Sequence, residues 1–263
     1  MGSFPQSIVH YLPVTDHDER WGIVCTTAGY QNVPPGSPYP LTQHPDSYSF
    51  TRSRGRVLGE YQLLYIVSGQ GEFRSASSPA APVKAGTVVM LFPDEWHTYA
   101  PDPETGWEEW WVGFRGENID RRVAEGFFSP KTPLLHIGHS AGIVSCYQEI
   151  IRSAEEERKG FQQLVTGIVL HLLGSVLFKR DNLQYLDNPI VEKINRAREM
   201  MRRHIGDNLP PEEIARRLNI GYTWFRRTFR AYVGIAPAQY QLQLRHNKAR
   251  ELLTTTDRTV SEI

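Results

Sequence analysis

Short runs of β-branched and aromatic residues, some alternating with polar residues, follow one another between residues 60 and 114. Glycine and proline turns separate them, for example Ser68-Gly69-Gln70-Gly71 and Lys84-Ala85-Gly86. This pattern is typical of antiparallel strands joined by tight turns. It predicts strands within 60–75, 82–93 and 107–114, and a small β-barrel or jelly roll over roughly residues 15–116.

The first 50 residues lack this pattern. They are rich in proline, glycine, tyrosine and histidine, and residues 33–40 read Val-Pro-Pro-Gly-Ser-Pro-Tyr-Pro. Repeated prolines remove backbone donors and interrupt regular elements. We therefore expect this region to be an arm or a set of long loops.

After residue 119 the apolar positions follow a helical period. Ile143, Tyr147 and Ile150 recur at spacings of three and four, and residues 161–178 are apolar around much of a helix. Polar residues such as Gln162 interrupt the second run, so we expect a buried helix rather than a membrane span. The helices 141–159 and 161–178 are predicted to pack on the barrel and on a second copy of the chain, as a homodimer.

The segment from Pro189 is predicted to form five helices. A short helix begins at Pro211, after which Asn219-Ile220-Gly221 forms a tight turn and a second helix runs from Tyr222 to Tyr232. Two helices joined by a short glycine-containing turn indicate a helix-turn-helix, whose second helix enters the major groove of DNA.

The second of these helices carries a basic surface. Phe225 and Phe229 are four residues apart and are predicted to face the core with Ile214 and Leu218. The remaining faces carry Trp224, Arg226, Arg227 and Arg230. Arginine can read guanine or hold phosphate, and tryptophan can lie against bases. A solvated basic helix with Trp224 partly in the core also fits this pattern.

Charge is divided unevenly along the chain, although its 29 basic and 29 acidic residues balance. Residues 1–181 hold 15 basic and 20 acidic side chains, whereas residues 182–263 hold 14 and 9. Such asymmetry indicates that only the second part faces a polyanion. The two cysteines have no metal-site or disulfide spacing and residues 1–14 do not resemble a secretory signal, so we expect a cytoplasmic protein.

Residues 212–253 resemble the DNA-binding domain of the AraC/XylS family of bacterial transcription regulators. Gly234, Pro237 and Tyr240 match the Gly-x-x-Pro-x-x-Tyr pattern of that family. The resemblance implies operator DNA and RNA polymerase as partners. It also places Thr223, Trp224, Arg226 and Arg227 where family members contact DNA, and Arg230 near a phosphate.

In that family a second helix-turn-helix follows the long linking helix. Residues 257–263 begin another helix, with Thr259 and Glu262 spaced as a capping box. We therefore expect this chain to carry only the first part of the second motif and to bind DNA weakly.

The turns at 65–71 and 86–97 resemble the two cupin motifs. Enzymatic cupins hold a metal through several histidines and a glutamate, but only His97 occupies such a position here. The other positions hold Gly55, Val57 and Gln62. A transition-metal site needs at least three protein ligands, so we expect no metal, no cofactor and no catalysis. A metal-dependent cupin enzyme with an appended regulatory domain is the alternative.

Aromatic and polar side chains are concentrated in the barrel segment instead. Rings that stack on sugar C–H faces beside groups that bind hydroxyls would suit a sugar, although the same rings also fit an ordinary barrel core. These residues are Tyr61, Tyr65, Trp96, His97, Tyr99, Trp107, Trp110 and Trp111, with Arg54, Glu108 and Glu109.

The order of parts resembles the sugar-sensing members of the AraC/XylS family over nearly the whole chain. Position by position, Arg54, Tyr99, Glu109 and Trp111 match residues that bind arabinose in one member, where a histidine stands in place of Glu109. His97 and Trp96 are further candidates for ligand binding. Tyr30 and Tyr39 are candidates from the N-terminal arm, which does not align well.

Together these features predict an α+β protein of two domains. Residues 1–180 would form a cupin-like sensing and dimerisation domain, 181–188 a linker, and 189–263 a DNA-binding domain with its second motif cut short. The predicted function is ligand-responsive transcription regulation, with a mono- or oligosaccharide as effector. A regulator that senses a non-sugar effector is a further alternative.

Overall fold

The structure is a computed structural model that describes residues 7–39, 54–185, 189–207 and 209–262. The chain divides into two compact units, Met1–Leu183 and Gln184–Ile263. The first combines β-sheet with helices, whereas every regular element described in the second is helical.

The first unit contains an antiparallel β-barrel. Its main sheet has the order β1-β2-β7-β3-β5-β8, and the second half of the long strand β3 leaves this sheet to pair with β4 and β6. A strand shared between two sheets closes the barrel. The described strands are β1 (Ser7–Tyr11), β2 (Val24–Val33), β3 (Tyr61–Ser75), β4 (Ala81–Lys84), β5 (Thr87–Leu91), β6 (His97–Pro101), β7 (Trp107–Arg115) and β8 (Leu134–His136).

The cupin-like α+β fold predicted from the sequence is confirmed, but the prediction of an arm or loops for the first 50 residues is wrong between residues 7 and 33. There β1 pairs with β2, and β2 pairs with β7 along its length. Proline density beyond residue 33 concealed β2, whose burial depends on pairing with β7, a strand far along the chain. Residues 40–50 of the predicted arm lie outside the described residues.

Strand β7 shows how the barrel separates two environments. Trp107 and Trp111 lie in the apolar cluster inside the barrel, whereas Trp110, Val112 and Phe114 belong to a second cluster shared with the helices. Successive side chains on a strand point to opposite faces, so one strand contributes to both clusters. Positions 107, 109 and 111 of β7 therefore face the barrel interior.

Two helices cover the outer face of the main sheet. They are α3 (Ala141–Glu156) and α4 (Phe161–Asn182), after the short helices α1 (Asp16–Glu19) and α2 (Glu117–Ala124). The Tyr147 hydroxyl donates to the Leu63 carbonyl at 3.0 Å, and the Gln162 amide bonds the backbone of Cys25. By length and composition α4 could cross a membrane. One face of it instead packs on the sheet through Val165, Val169 and Leu172.

Helix α4 continues through Asn182, past the predicted start of the linker, and a 3₁₀ turn follows at Leu183–Tyr185. Residues 186–188 of that linker lie outside the described residues.

The second unit contains α5 (Pro189–Arg203), α6 (Pro211–Arg217), α7 (Tyr222–Val233) and α8 (Pro237–Thr255). Phe225 and Phe229 of α7 are fully buried with Ile214 of α6, and Leu218 is partly buried beside them. The helix-turn-helix packing predicted from the spacing of these residues is therefore confirmed. Gly234 ends α7 in the left-handed region with φ of 89°, where glycine avoids the cost of a Cβ.

Candidate functional site

The register of β2 against β7 brings together side chains that are far apart in sequence. Gly29 lies opposite Trp111, Gln31 opposite Glu109, and Val33 opposite Trp107. Directly opposed residues share one face of an antiparallel pair, so all three pairs face the barrel interior. The interior is therefore aromatic and polar at the same place.

The indole of Trp111 lies directly against the backbone of β2. A Cβ added to Gly29 would be only 2.1 Å from Cζ2 of Trp111, so any larger residue would displace the ring. Trp111 is buried, and glycine at position 29 is what allows it to lie flat on the neighbouring strand. The site thus has one broad aromatic wall.

An arginine organises a second part of the interior. Arg56 donates from Nη2 to the Tyr99 hydroxyl at 2.7 Å and from Nε to His97 Nε2 at 3.2 Å. The other ring nitrogen of His97, Nδ1, is 3.0 Å from the Glu95 carbonyl. Burial, followed by the nearby Arg56 charge, lowers the pKa of His97 to about 4. His97 is therefore neutral at pH 7, with Nδ1 as donor and Nε2 as acceptor.

Glu109 is the buried carboxyl of this interior, with only 3% of its surface exposed. Its Oε1 accepts a hydrogen bond from the Tyr39 hydroxyl at 3.1 Å, whereas Oε2 has no partner among the described residues. Burial raises its pKa to about 7, and Tyr39, Arg56 and Trp107 only partly oppose that rise. The indole N–H of Trp107 favours the charged form without making a hydrogen bond of normal geometry.

Four of the six predicted ligand-binding residues meet in the interior: His97, Tyr99, Glu109 and Trp111. Arg54 and Trp96 lie elsewhere. Arg54 is exposed, and its carbonyl accepts a hydrogen bond from Trp96 Nε1 at 2.9 Å. Trp96 packs on Gly55 and lies 5.5 Å below the guanidinium of Arg74. Arg56 is instead the arginine that contacts Tyr99 and His97.

Sequence reasoning missed Arg56 and Gln31. It included Trp107 among the aromatic residues of the barrel without proposing it as a ligand-binding residue. The alternation of β7 could have identified Trp107, because residues 107, 109 and 111 share a face. Nothing in the local sequence distinguishes Arg56 from Arg54, since both lie in the short segment before β3. Gln31 lies on a strand that the sequence did not predict. Tyr39, a candidate from the arm, does reach the site through Glu109.

His97 is the candidate metal ligand that the cupin resemblance suggests in this interior. Within the described ranges, no group of three or more His, Cys, Asp or Glu side chains is close enough to hold a metal. His97 uses both ring nitrogens for hydrogen bonds within the protein.

The second candidate site is the outer surface of α7. Thr223, Arg226, Arg227 and Arg230 are exposed there, whereas Trp224 is half-buried against the helical core. None of the three arginines has an ion pair with a described residue, unlike Arg216 and Arg217 of α6, which both bind Glu213. An arginine that is not held by a carboxylate is available to phosphates or base edges.

The chain was compared with known proteins. Residues 35–173, more than half of the chain, match the AraC-like ligand binding domain. The Msm operon regulatory protein of Streptococcus mutans is 22% identical over 79% of this chain and 75% of its own length. The raffinose operon transcriptional regulatory protein RafR of Pediococcus pentosaceus is 22% identical over 82% of this chain and 78% of its own length. The MmsAB operon regulatory protein of Pseudomonas aeruginosa is 25% identical over 78% of this chain and 66% of its own length.

Among solved structures, ToxT from Vibrio cholerae bound to an unsaturated fatty acid aligns over 98% of this chain and 85% of that chain, at 12% identity and a TM-score of 0.32. That similarity is too low to carry an argument about ligands. The family match and the curated relatives agree with the barrel and the helix-turn-helix described above. The chain belongs to the AraC family and is a ligand-responsive transcription regulator.

Proposed function

We propose that this regulator is a cytoplasmic homodimer that senses a sugar in its barrel and binds operator DNA through α7. The barrel acts as a sensor without catalysis. Ligand binding would shift the population between arrangements of the DNA-binding units, which requires different affinities for the sugar in the two arrangements.

The observation that carries the sugar assignment is the flat Trp111 ring beside buried polar groups. Sugars present C–H faces that stack on aromatic rings, and hydroxyls that both donate and accept hydrogen bonds. Glu109 and Tyr99 supply such groups in the same interior as the ring, and Arg56 binds Tyr99 there. The name of one relative refers to a raffinose operon, which supports a saccharide as effector.

A thermal-shift screen tests this assignment. Wild type and Trp111→Ala would be screened against raffinose, sucrose, D-galactose and L-arabinose, with Trp21→Ala as control because Trp21 is exposed. We expect at least one sugar to raise the Tm of wild type and Trp21→Ala but not that of Trp111→Ala. No sugar-dependent shift in wild type would contradict the proposal. Stoichiometric metal in the purified protein would favour the enzymatic alternative.

The dimer is proposed to form through α3 and α4. Leu164 and Phe178 of α4 are exposed, and a shallow groove of about 420 Å³ between the two helices is lined by Cys146, Leu164 and Ile168. Exposed apolar patches of this kind mark interaction surfaces. Leu164→Glu should yield monomers in analytical ultracentrifugation, whereas Phe127→Glu, at a position with the same 53% exposure, should not. A dimeric Leu164→Glu variant would contradict this interface.

The DNA contacts of Thr223, Trp224, Arg226, Arg227 and Arg230 are proposed from their place on α7, and contact with RNA polymerase stays a prediction. Arg54 and Trp96 stay predictions for the sugar site, and we add Arg56 as a candidate because it binds both Tyr99 and His97.

A further inference from the structure

The barrel interior contains buried polar atoms that have no hydrogen-bond partner in the part of the chain that the structure describes. Oε2 of Glu109, Nε2 of Gln31 and Nε1 of Trp107 are all buried and unpaired with any described residue. Glu109 and Gln31 are directly opposite each other on β7 and β2. Their exposed fractions are only 3% and 2%. Buried polar groups are normally satisfied, so this cluster indicates a place for ligand hydroxyls.

The groups around Glu109 come from four segments. Tyr39 follows β2, Arg56 precedes β3, Tyr99 is on β6, and Trp107 is on β7 with Glu109 itself. Burial raises the pKa of Tyr39 well above 10 and that of Tyr99 to about 12, so neither loses its proton near neutrality. Among these titratable and charged groups, Glu109 is the one that titrates near pH 7.

The neighbours of Glu109 determine in which direction ligand binding would move its proton. Tyr39, Trp107 and Gln31 offer O–H or N–H donors, and donors favour the charged carboxylate. A sugar hydroxyl that accepts a hydrogen bond from Gln31 or Trp107 can donate its own proton as a hydrogen bond to Oε2 of Glu109. That added donor stabilises the carboxylate against the cost of burial.

We propose that sugar binding in the barrel releases a proton from Glu109 to solvent, so that affinity for the sugar rises with pH across neutrality. This inference rests on the proposed sugar-sensing function. The bond that breaks is the O–H bond of the Glu109 carboxyl, whose proton passes to solvent, and the sugar hydroxyl keeps its own proton. By linkage, a site that binds sugar better without the proton binds the proton less well with sugar.

The ligand-free protein provides the first test. The side-chain carboxyl carbons of ¹³C-labelled glutamate would be followed by NMR from pH 4 to pH 9 in wild type, Glu109→Gln and Glu104→Gln, the last being an exposed glutamate. We expect one signal with a midpoint near pH 7 that disappears only in Glu109→Gln. If no glutamate signal has a midpoint near pH 7, the inference is overturned.

Calorimetric titration with raffinose provides the second test, in two buffers of different ionisation enthalpy at pH 6, 7 and 8. We expect affinity to be about tenfold higher at pH 8 than at pH 6, and release of nearly one proton per raffinose at pH 6. Glu109→Gln should bind without proton release and with no pH dependence, whereas Glu104→Gln should behave as wild type.

The outcomes separate this inference from the proposed function. Raffinose binding without proton release, or with uptake, overturns the proton linkage and leaves sugar sensing intact. If neither raffinose nor any other sugar of the thermal-shift panel gives a binding heat at any pH, the sugar-sensing proposal fails and the linkage fails with it.

Discussion

Two glutamates, one in each unit, show opposite responses to their surroundings. Glu109 lies inside the barrel, where burial raises its pKa to about 7. Glu213 lies on the surface of α6, where hydrogen bonds from Arg216 and then Arg217 lower its pKa to about 2. The barrel removes water from the Glu109 carboxyl and leaves one of its oxygens without a partner among the described residues, whereas the helical unit leaves the Glu213 carboxyl partly exposed beside two guanidinium groups.

This contrast follows from where each unit meets its ligand. A small effector must be enclosed, so the polar groups that we propose as its contacts are buried, and some of them have no partner among the described residues. DNA is met on an open surface, so the charges of the helical unit stay solvated and their interactions are screened by salt. The barrel is therefore the unit in which single polar substitutions should have large effects on stability.

The largest expected effect concerns the pH dependence of barrel stability. Because the pKa of Glu109 is higher in the folded state than the ordinary value of 4.5, the folded protein binds its proton more tightly. The contribution of Glu109 is therefore most favourable below pH 4.5 and is lost as pH rises through 7. Wild type should lose about 3 kcal/mol relative to Glu109→Gln across this range, an order-of-magnitude value from the size of the shift.

Urea unfolding followed by tryptophan fluorescence at pH 4.5, 6 and 8 measures this loss, since five of the six tryptophans are in the first unit. Glu104→Gln is the matched control. Parallel stability curves for wild type and Glu109→Gln would show that Glu109 is solvated like a surface group.

The packing of Trp111 gives the next prediction. Gly29→Ala places a methyl group against the indole at a distance that requires the ring or the strand to move. Overpacking of this kind costs about 1–3 kcal/mol of unfolding free energy. Gly174→Ala on α4 is the control, because nothing lies within 4 Å of its added Cβ and alanine favours a helix. Equal stability of the two variants in urea would mean that Trp111 can leave β2 freely.

The sequence predicted more of the helical unit than of the barrel interior. The reason is how far apart along the chain the contacting residues lie. The helix-turn-helix depends on spacings of three and four within one segment, so Phe225, Phe229 and the turn at Gly221 could be read directly. The barrel interior depends on register between strands more than 70 residues apart. Tyr99, Glu109 and Trp111 were found through a family resemblance, whereas Gln31 and Arg56 needed the pairing of β2 with β7 and the course of the chain before β3.

Two arginines of the helical unit test whether an ion pair with a carboxylate reduces the contribution of an arginine to DNA binding. Arg227 has no described ion pair, whereas Arg216 is held by Glu213 at 2.7 Å. Arg227→Ala should weaken operator binding by about 1–3 kcal/mol if it reads a base, and Arg216→Ala should weaken it less. Fluorescence anisotropy with operator DNA at several salt concentrations measures both. Equal losses, with equal changes in the salt slope, would show that only total charge matters.

The smallest effect is expected for Glu213, although its pKa shift is large. Its side chain is partly exposed and both arginine partners are exposed, and ion pairs open to solvent contribute little because water and salt screen them. The sign is opposite to that of Glu109: a lowered folded-state pKa contributes stability above about pH 4.5 that is lost as pH falls towards 2. Glu213→Gln should therefore leave the unfolding of the helical unit nearly unchanged at pH 7, as followed by circular dichroism. A loss comparable to that from Gly29→Ala would mean that the surface pair is desolvated, and the contrast between the two units would not hold.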